Sequence, residues 1–218
     1  MGLKALKIKK QYRSDRDDLF SEFFLPCFEQ SNEYDRAIEY VAVKSIVGYY
    51  AAFYHFLTKN PKVRIVAGHR FRSIDLNLLS YLYNRHNQKI IPLKDFKNDE
   101  KLEIVRDMIK NKKLEIKIAI PNSERIYGSF AEKIGIFRDE NDDIIAFSGS
   151  SNETFDPENK NFESIDVFTS WDDKERVETK IKDFENLWLN KTKDVAVYDF
   201  AYANEKNLLK YATKWIFD

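Results

Sequence analysis

The chain has 218 residues, and its 36 basic and 36 acidic side chains cancel, so no global positive field marks it as a nucleic-acid binder. Its length and 43% hydrophobic content predict one substantial α/β domain and exclude disorder as the dominant state. A single cysteine, Cys27, excludes an internal disulfide. Without a signal-peptide core or an apolar run long enough to span a bilayer, we expect a cytoplasmic protein with no membrane partner.

The first half of the chain alternates between helical and strand patterns. Ser14 to Asp17 resembles a helix start, and the apolar face that follows, with Cys27 on its buried side, is interrupted near Pro26. A strand is predicted over 37–43, a helix over 46–57, a strand over 63–67 and a helix over 73–83.

The second half continues the alternation, which is typical of a layered α/β fold. Helices are predicted over 100–109, 172–189 and 207–215, and strands over 114–120, 131–137, 144–147 and 195–198. The helix over 172–189 carries a buried stripe that consists of Val177, Ile181, Phe184 and Trp188. The acidic residues between the strands 131–137 and 144–147 are interpreted as a solvated turn: Asp139, Glu140, Asp142 and Asp143.

The segment from Phe130 to Trp171 carries the chemistry. Side chains alternate along a strand, so position 131 and Lys133 are predicted to share one face. The small residues before Asn152 let backbone N–H groups approach an anion. An ammonium and an amide stabilise the charge of a phosphodiester without a metal, and Glu163 is suited to orienting an imidazole.

Three stretches, FAEKIGIF, IIAFSGSSNET and NFESIDVFTSW, resemble the single-motif nuclease branch of the phospholipase D superfamily. Upstream, YRSDRDDLFSEFFLPCFEQSNEYDRA is similar to the entry segment of phospholipase-D-like domains joined to bacterial helicases and restriction enzymes. The resemblance implies a single domain over 1–218 with the family's layered α/β fold, a central mixed β-sheet flanked by helices. It also implies a helicase or ATPase as a further domain or subunit, of which this chain is a fragment or companion.

The same resemblance assigns roles to residues. Lys133 and Asn152 would bind the phosphate, Glu163 would orient the nucleophilic histidine, and Ser150 would support the oxyanion. The second histidine would come from a second copy, which implies a homodimer with a shared site, DNA as substrate and no metal or other cofactor. Two positions depart from the family pattern, since Ala131 stands where the nucleophile is expected and Arg138 where an acidic residue is usual.

Ala131 would abolish the chemistry, because a methyl group cannot attack phosphorus. An engineered replacement of histidine and a natural loss both account for it, and the retention of the other motif residues favours engineering. The leading hypothesis is therefore an inactivated metal-independent DNA endonuclease of restriction or antiphage defence. The alternative is a naturally inactive domain that binds nucleic acid or mediates dimerisation, and a lipid phosphodiesterase or phosphatidyl transferase ranks last.

Taken singly, Lys133, Asn152 and Glu163 are typical of a strand edge, a turn and a strand end, and only their joint spacing indicates a site. Arg125, just before the motif, is the additional residue predicted to contact DNA phosphate. His69 follows a strand C-terminus and is weighed as a stand-in nucleophile, whereas His55 and His86 are interpreted as a core residue and an exposed helix end.

Overall fold

The computed structural model describes residues 2–42, 56–83, 100–123, 128–151 and 161–211. Within these ranges the protein has a mixed α/β fold, in which one large mixed sheet carries helices on both faces. The predicted fold class is confirmed. The helix predicted over 46–57 lies almost entirely outside the described residues. Of that helix, only Phe56 and Leu57 are described, and both are helical.

The strands of the described ranges alternate with helices along the chain. The strands are β1 Gln11–Arg13, β2 Glu33–Ile38, β3 Lys62–Gly68, β4 Arg70–Phe71, β5 Leu114–Pro121, β6 Ile134–Arg138, β7 Ile144–Gly149, β8 Ser164–Thr169, β9 Val195–Asp199 and β10 Lys210–Tyr211. The helices are α1 Leu25–Gln30, α2 Ser73–Tyr83, α3 Glu100–Lys110, α4 Lys174–Trp188 and α5 Phe200–Glu205, with a 3-10 turn at Leu3–Ala5 and a π-helical segment at Phe20–Phe24.

The large sheet has the strand order β1-β8-β7-β6-β2-β3-β5-β9. Its centre is parallel, because β3 pairs in parallel with both β2 and β5, and the strands on either side are antiparallel. A separate parallel pair joins β4 to β10. This arrangement brings the ends of β2, β3 and β7 and the beginnings of β6 and β8 to one end of the sheet.

Each face of the sheet buries its own hydrophobic core. The larger core lies beneath α1, α2, α3 and α5 and includes a group of aromatic rings around Phe23, Phe137 and Phe147. The smaller core lies beneath α4, which contributes Val177 and Phe184. Side chains alternate between the two faces along each strand, so Phe137 packs in the larger core and its neighbour Ile136 packs in the smaller one.

The N-terminal helix differs from its prediction. It begins near Leu19 rather than at Ser14 to Asp17, and Pro26 does not interrupt it. The preceding segment is π-helical, with the Leu25 N–H donating to the Phe20 carbonyl five residues earlier. Pro26 lies at the junction of this segment and α1, where the change of hydrogen-bond pattern accommodates its missing N–H. Cys27 is fully buried, as predicted, and burial raises the pKa of its thiol.

Two other predictions are wrong in part. The strand predicted over 37–43 is β2, which begins at Glu33 and ends at Ile38. The helix predicted over 207–215 is absent from its described portion, because Asn207 adopts a left-handed φ of 54° and Lys210 then pairs with β4 through the His69 carbonyl. Residues 212–215 of that prediction lie outside the described ranges.

Asp139 is also not the solvated residue that the acidic turn predicted. Its side chain is buried and accepts hydrogen bonds from the backbone N–H groups of Leu3, Asn141 and Asp143 at 2.7, 2.9 and 3.0 Å. The carboxylate thus joins the N-terminus to the β6–β7 turn, a long-range contact that local sequence does not reveal. In the described part of the chain, no helix combines the length and apolar character required to cross a bilayer.

Candidate functional site at one end of the sheet

Five strand termini meet where the motif residues lie. The β6–β7 ladder pairs Ile134 with Ser148, and the β7–β8 ladder pairs Gly149 with Ile165. The residues just outside these pairs, Lys133 and Ser150, therefore lie side by side at the end of the sheet, with Glu163 just beyond the beginning of β8. Residues at strand ends are held by the rigid sheet but remain accessible, which suits a site.

Lys133 is the basic residue of this end. Its Nζ donates to the Ser150 carbonyl at 3.1 Å and lies 3.7 Å from Oε2 of Glu39, the residue that follows β2. Its side chain is largely covered, whereas the Glu39 side chain is about twice as exposed. The ammonium is therefore positioned by one weak ion pair and one carbonyl, and it remains at the surface of the sheet end.

The turn after β7 depends on Gly149. Its φ is +156°, and a Cβ there would overlap the Ser164 carbonyl. Glycine is thus required by the close approach of β8. Ser150 follows, and its hydroxyl accepts from the Ser164 N–H at 2.8 Å while its own N–H donates to the Ser164 carbonyl at 2.9 Å. The oxyanion contact predicted for Ser150 would require these bonds to be exchanged.

Glu163 is held through its backbone. Ser14 accepts from the Glu163 N–H at 2.9 Å through its hydroxyl, and the Ser14 N–H donates to the Glu163 carbonyl at 2.9 Å. Glu163 is half-buried, and its carboxylate lies close enough to Tyr40 to act on its phenol electrostatically. Burial raises the pKa of the Tyr40 phenol, and the nearby carboxylates, Glu163 among them, add to that rise.

Ala131 precedes β6 rather than lying within it, because the strand begins at Ile134. The shared strand face predicted for position 131 and Lys133 therefore does not apply, although both residues lie at the same end of the sheet. Ala131 is exposed, and Phe130 before it is buried. A Cβ on Gly68 would contact the Phe130 carbonyl, so the end of β3 packs beside this segment.

Sequence reasoning missed Arg36, which supports the site from beneath. Its side chain is only 2% exposed, and its guanidinium donates to the Ser151 carbonyl at 2.6 Å and the Ala37 carbonyl at 3.1 Å. It also lies 5.1 Å from the ring centre of Phe147. Arg36 therefore fixes the position of Ser151, immediately after the carbonyl that Lys133 contacts. A lone arginine directly before a predicted strand carries no sequence signal for this role.

Glu39 and Arg72 were also missed, and both border the same sheet end. The Arg72 Nε donates to Asp75 at 2.8 Å, and its guanidinium carbon lies 6.0 Å from the ring centre of Tyr40. The Asp75 carboxylate is almost completely buried, which holds Arg72 in place. Polar residues directly after a buried strand are the signal that would have drawn attention to this region.

His69 lies where the strand pattern predicted, directly after β3. Its side chain is 5% exposed, and Nδ1 has no hydrogen-bond partner within the described ranges. Burial lowers the pKa of the imidazole, as do the charges of Lys210 and Arg70, so the ring is neutral at pH 7. An enclosed imidazole is not presented to a polymeric substrate in this arrangement.

Four of the residues singled out from sequence, Asn152, Arg125, His55 and His86, lie outside the described residues. Their predicted roles stay predictions. Across the ranges that the structure does describe, no group of three or more histidine, cysteine or acidic side chains is arranged to hold a metal ion.

Comparison with known proteins gives structural likenesses only. No family model and no curated protein matches the sequence. NucT from Helicobacter pylori matches with a TM-score of 0.49 and 16% identity over 86% of this chain and 97% of that chain. Nuc from Salmonella typhimurium, a phospholipase D family member, gives 0.45 and 12% over 87% and 95%. Phosphatidylserine synthase from Haemophilus influenzae Rd KW20 gives 0.45 and 12% over 91% and 41%.

Proposed function

We propose that this chain is a phospholipase-D-like nuclease domain that cleaves DNA phosphodiester bonds without a metal ion, as a homodimer with a shared site. We further propose that Ala131 makes this form inactive. The observation that carries the proposal is the position of Lys133, whose ammonium lies at the sheet end beside Ser150, with Glu163 on the next strand but one.

Each residue has a chemical task in this proposal. Lys133, with Asn152, neutralises the charge that grows on the non-bridging phosphate oxygens. A histidine at position 131 would attack phosphorus to form a phosphorus–nitrogen bond, while the bond to the leaving oxygen breaks. A histidine of the second copy protonates that oxygen, and water then releases the phosphate from the first histidine. Glu163 would hold the attacking imidazole in orientation.

The electrostatics of the sheet end support an anionic substrate. Lys133 is opposed by Glu39 at 3.7 Å, near the outer limit for an ion pair, so this contact contributes little stability. A phosphate that approaches Lys133 therefore displaces a weak contact rather than a strong one. Arg36 adds a buried positive charge beneath the same turn.

The cellular setting in this proposal follows the sequence resemblance. The whole chain, residues 1–218, would be one nuclease module that works with a helicase or ATPase domain or subunit in restriction or antiphage defence in the cytoplasm. Arg125 would contact a DNA phosphate beside the scissile one.

The test restores the nucleophile. Ala131→His and Ala131→Gln are purified beside the present chain and incubated with plasmid and single-stranded DNA in excess EDTA, and light scattering gives the oligomeric state. We expect cleavage by the histidine variant alone, because glutamine matches its bulk without a nucleophilic nitrogen. The expected mass is that of a dimer.

The alternative, a naturally inactive domain that binds nucleic acid or mediates dimerisation, makes a different prediction. It requires DNA binding or dimer formation that persists while Ala131→His remains inert. A dimeric Ala131→His protein that cleaves nothing, alone or with its helicase partner, would contradict the nuclease proposal. Cleavage that disappears in EDTA would contradict its metal-free part.

A further inference from the structure

An exposed aromatic ring borders the candidate site. Phe162 directly precedes Glu163, and its side chain is 64% exposed. A single exposed hydrophobic residue is ordinary on a protein surface, so exposure by itself carries no meaning. Two features of Phe162 go beyond exposure: its position beside a motif residue and the cation that covers one face of its ring.

The cation is Arg13. Its guanidinium carbon lies 4.7 Å from the ring centre of Phe162, within the range of a cation–π contact. Arg13 is itself held by an ion pair with Asp15 and by the pairing of β1 with β8, in which it lies opposite Ser164. Ser14, the next residue, bonds to both backbone groups of Glu163. The ring thus has a cation against one face and is attached to a backbone that Ser14 holds.

We propose that Phe162, backed by Arg13, is a stacking platform for a nucleobase of an unpaired strand. This inference rests on the proposed function and specifies its substrate as single-stranded nucleic acid. An aromatic ring beside a phosphate site binds a strand because every base offers a π-face, and guanidinium groups strengthen such contacts. Bases of an intact duplex are already stacked on their neighbours, so a duplex cannot use the ring without local opening.

The present chain suits a binding test, because Ala131 permits contact with DNA without cleavage. The probes are a fluorescein-labelled oligothymidylate and a duplex of the same length, titrated by anisotropy. We expect tighter binding of the single strand. Phe162→Ala should weaken that binding roughly ten-fold or more, whereas Phe162→Trp should retain it, since stacking on one base is worth about 1–3 kcal/mol.

Two further variants separate stacking from other effects. Phe162→Leu keeps an apolar side chain without a π-face and should bind like the alanine variant. Tyr202→Ala is the matched control, because Tyr202 is also exposed, at 48%, and also lies near a cation, with Lys206 Nζ at 5.9 Å, but it belongs to α5 beyond the opposite edge of the sheet. Its removal should leave single-strand binding unchanged.

Several results would overturn the inference. Equal binding of the oligothymidylate by Phe162→Ala and the present chain would contradict the stacking role of Phe162. Tighter binding of the duplex would contradict the proposed preference for single strands. Loss of the dimer in Phe162→Ala, measured by light scattering, would show that the ring belongs to an interface between copies. If the present chain binds neither probe, the proposed function itself fails, and that result is distinct from binding that does not depend on Phe162.

Discussion

Two regions of the sheet place basic side chains beside carboxylates, with different results. On the face covered by α4, Arg64 donates to Asp35 at 2.7 and 2.6 Å and to Glu185 at 2.6 Å, and its guanidinium also lies 5.1 Å from the ring centre of Phe184. Burial opposes the charge of Arg64, but the hydrogen bonds to both carboxylates raise its pKa overall. The Arg64 guanidinium therefore serves a structural role, because two carboxylates already bind it.

At the sheet end, the contacts of Lys133 among the described residues are a carbonyl at 3.1 Å and a carboxylate at 3.7 Å. Lys117 in β5 has nearly the same pair, with the Trp188 carbonyl at 3.0 Å and Asp199 at 3.8 Å, but its ammonium also lies 4.4 Å from the ring centre of Trp188. The two lysines therefore have similar hydrogen bonds and ion pairs, apart from the Trp188 ring beside Lys117, and their positions differ. The comparison teaches that location relative to the other motif residues, rather than local bonding, distinguishes a candidate functional lysine from a structural one.

The largest expected effect is on the α4 face. Arg64→Leu should destabilise the protein by about 3–5 kcal/mol, because it leaves the Asp35 carboxylate buried without its partner. Urea denaturation followed by circular dichroism measures the change. The control is Arg106→Ala, which removes an exposed pair with Glu103 and should cost less than about 1 kcal/mol. Equal losses of stability in the two variants would mean that the buried contacts of Arg64 stabilise the fold no more than an exposed ion pair does.

The second prediction compares the two lysines directly. In the Ala131→His background, Lys133→Met should reduce the cleavage rate roughly 100- to 1,000-fold, as expected for loss of a charge that stabilises the transition state. Lys117→Met removes a similar hydrogen bond and ion pair, together with the contact to the Trp188 ring, and should leave the rate within about two-fold. Single-turnover cleavage assays measure both, and denaturation midpoints exclude unfolding. Comparable losses of rate in the two variants would contradict the distinction drawn between the regions.

The smallest expected effect concerns His69, which lies directly after β3 at the same sheet end. Its pKa in the folded protein is below the usual value of 6.5, so the unfolded chain binds more protons near pH 6. The stability that the neutral ring contributes is therefore present above about pH 6.5 and is lost as pH falls through the folded pKa. Hydrogen bonds to Lys9 lower the pKa values of Asp17 and Glu22, so the protonation of these two carboxylates changes the stability only below about pH 4.5.

Urea midpoints between about pH 7.5 and 5 test this prediction. The present chain should lose stability on acidification, and His69→Asn should show a flatter dependence over the same interval. A variant that retains the full slope would place the titrating group elsewhere in the chain.

Sequence patterns predicted the regular elements well where hydrophobic periodicity was strong. The helix over 73–83 matches α2 in full, and the strand over 63–67 forms the interior of β3. Periodicity succeeds there because burial of one face determines which side chains are apolar. It failed for β10, β4 and β1, which are only two or three residues long and exist because a distant partner supplies their hydrogen bonds.

The candidate site divides in the same way. Lys133 and Glu163 were singled out by their spacing with Asn152, and Ser150 by the family resemblance, since residue type and separation along the chain carry that information. Glu39, Arg36 and Phe162 were not found, because their importance arises from what lies beside them: Lys133, the Ser151 carbonyl and the Arg13 guanidinium.

By itself, the sequence determined the alternation of helices and strands, the burial of Cys27 and the motif spacing with alanine at position 131. Only the tertiary structure decided that β2, β3 and β7 end where β6 and β8 begin, that Asp139 is buried and that Arg36 lies under the Ser150–Ser151 turn. The physical reason is range. Periodicity and turn chemistry act between near neighbours in the chain, whereas the hydrogen bonds and ion pairs of this site join residues that only the sheet brings together.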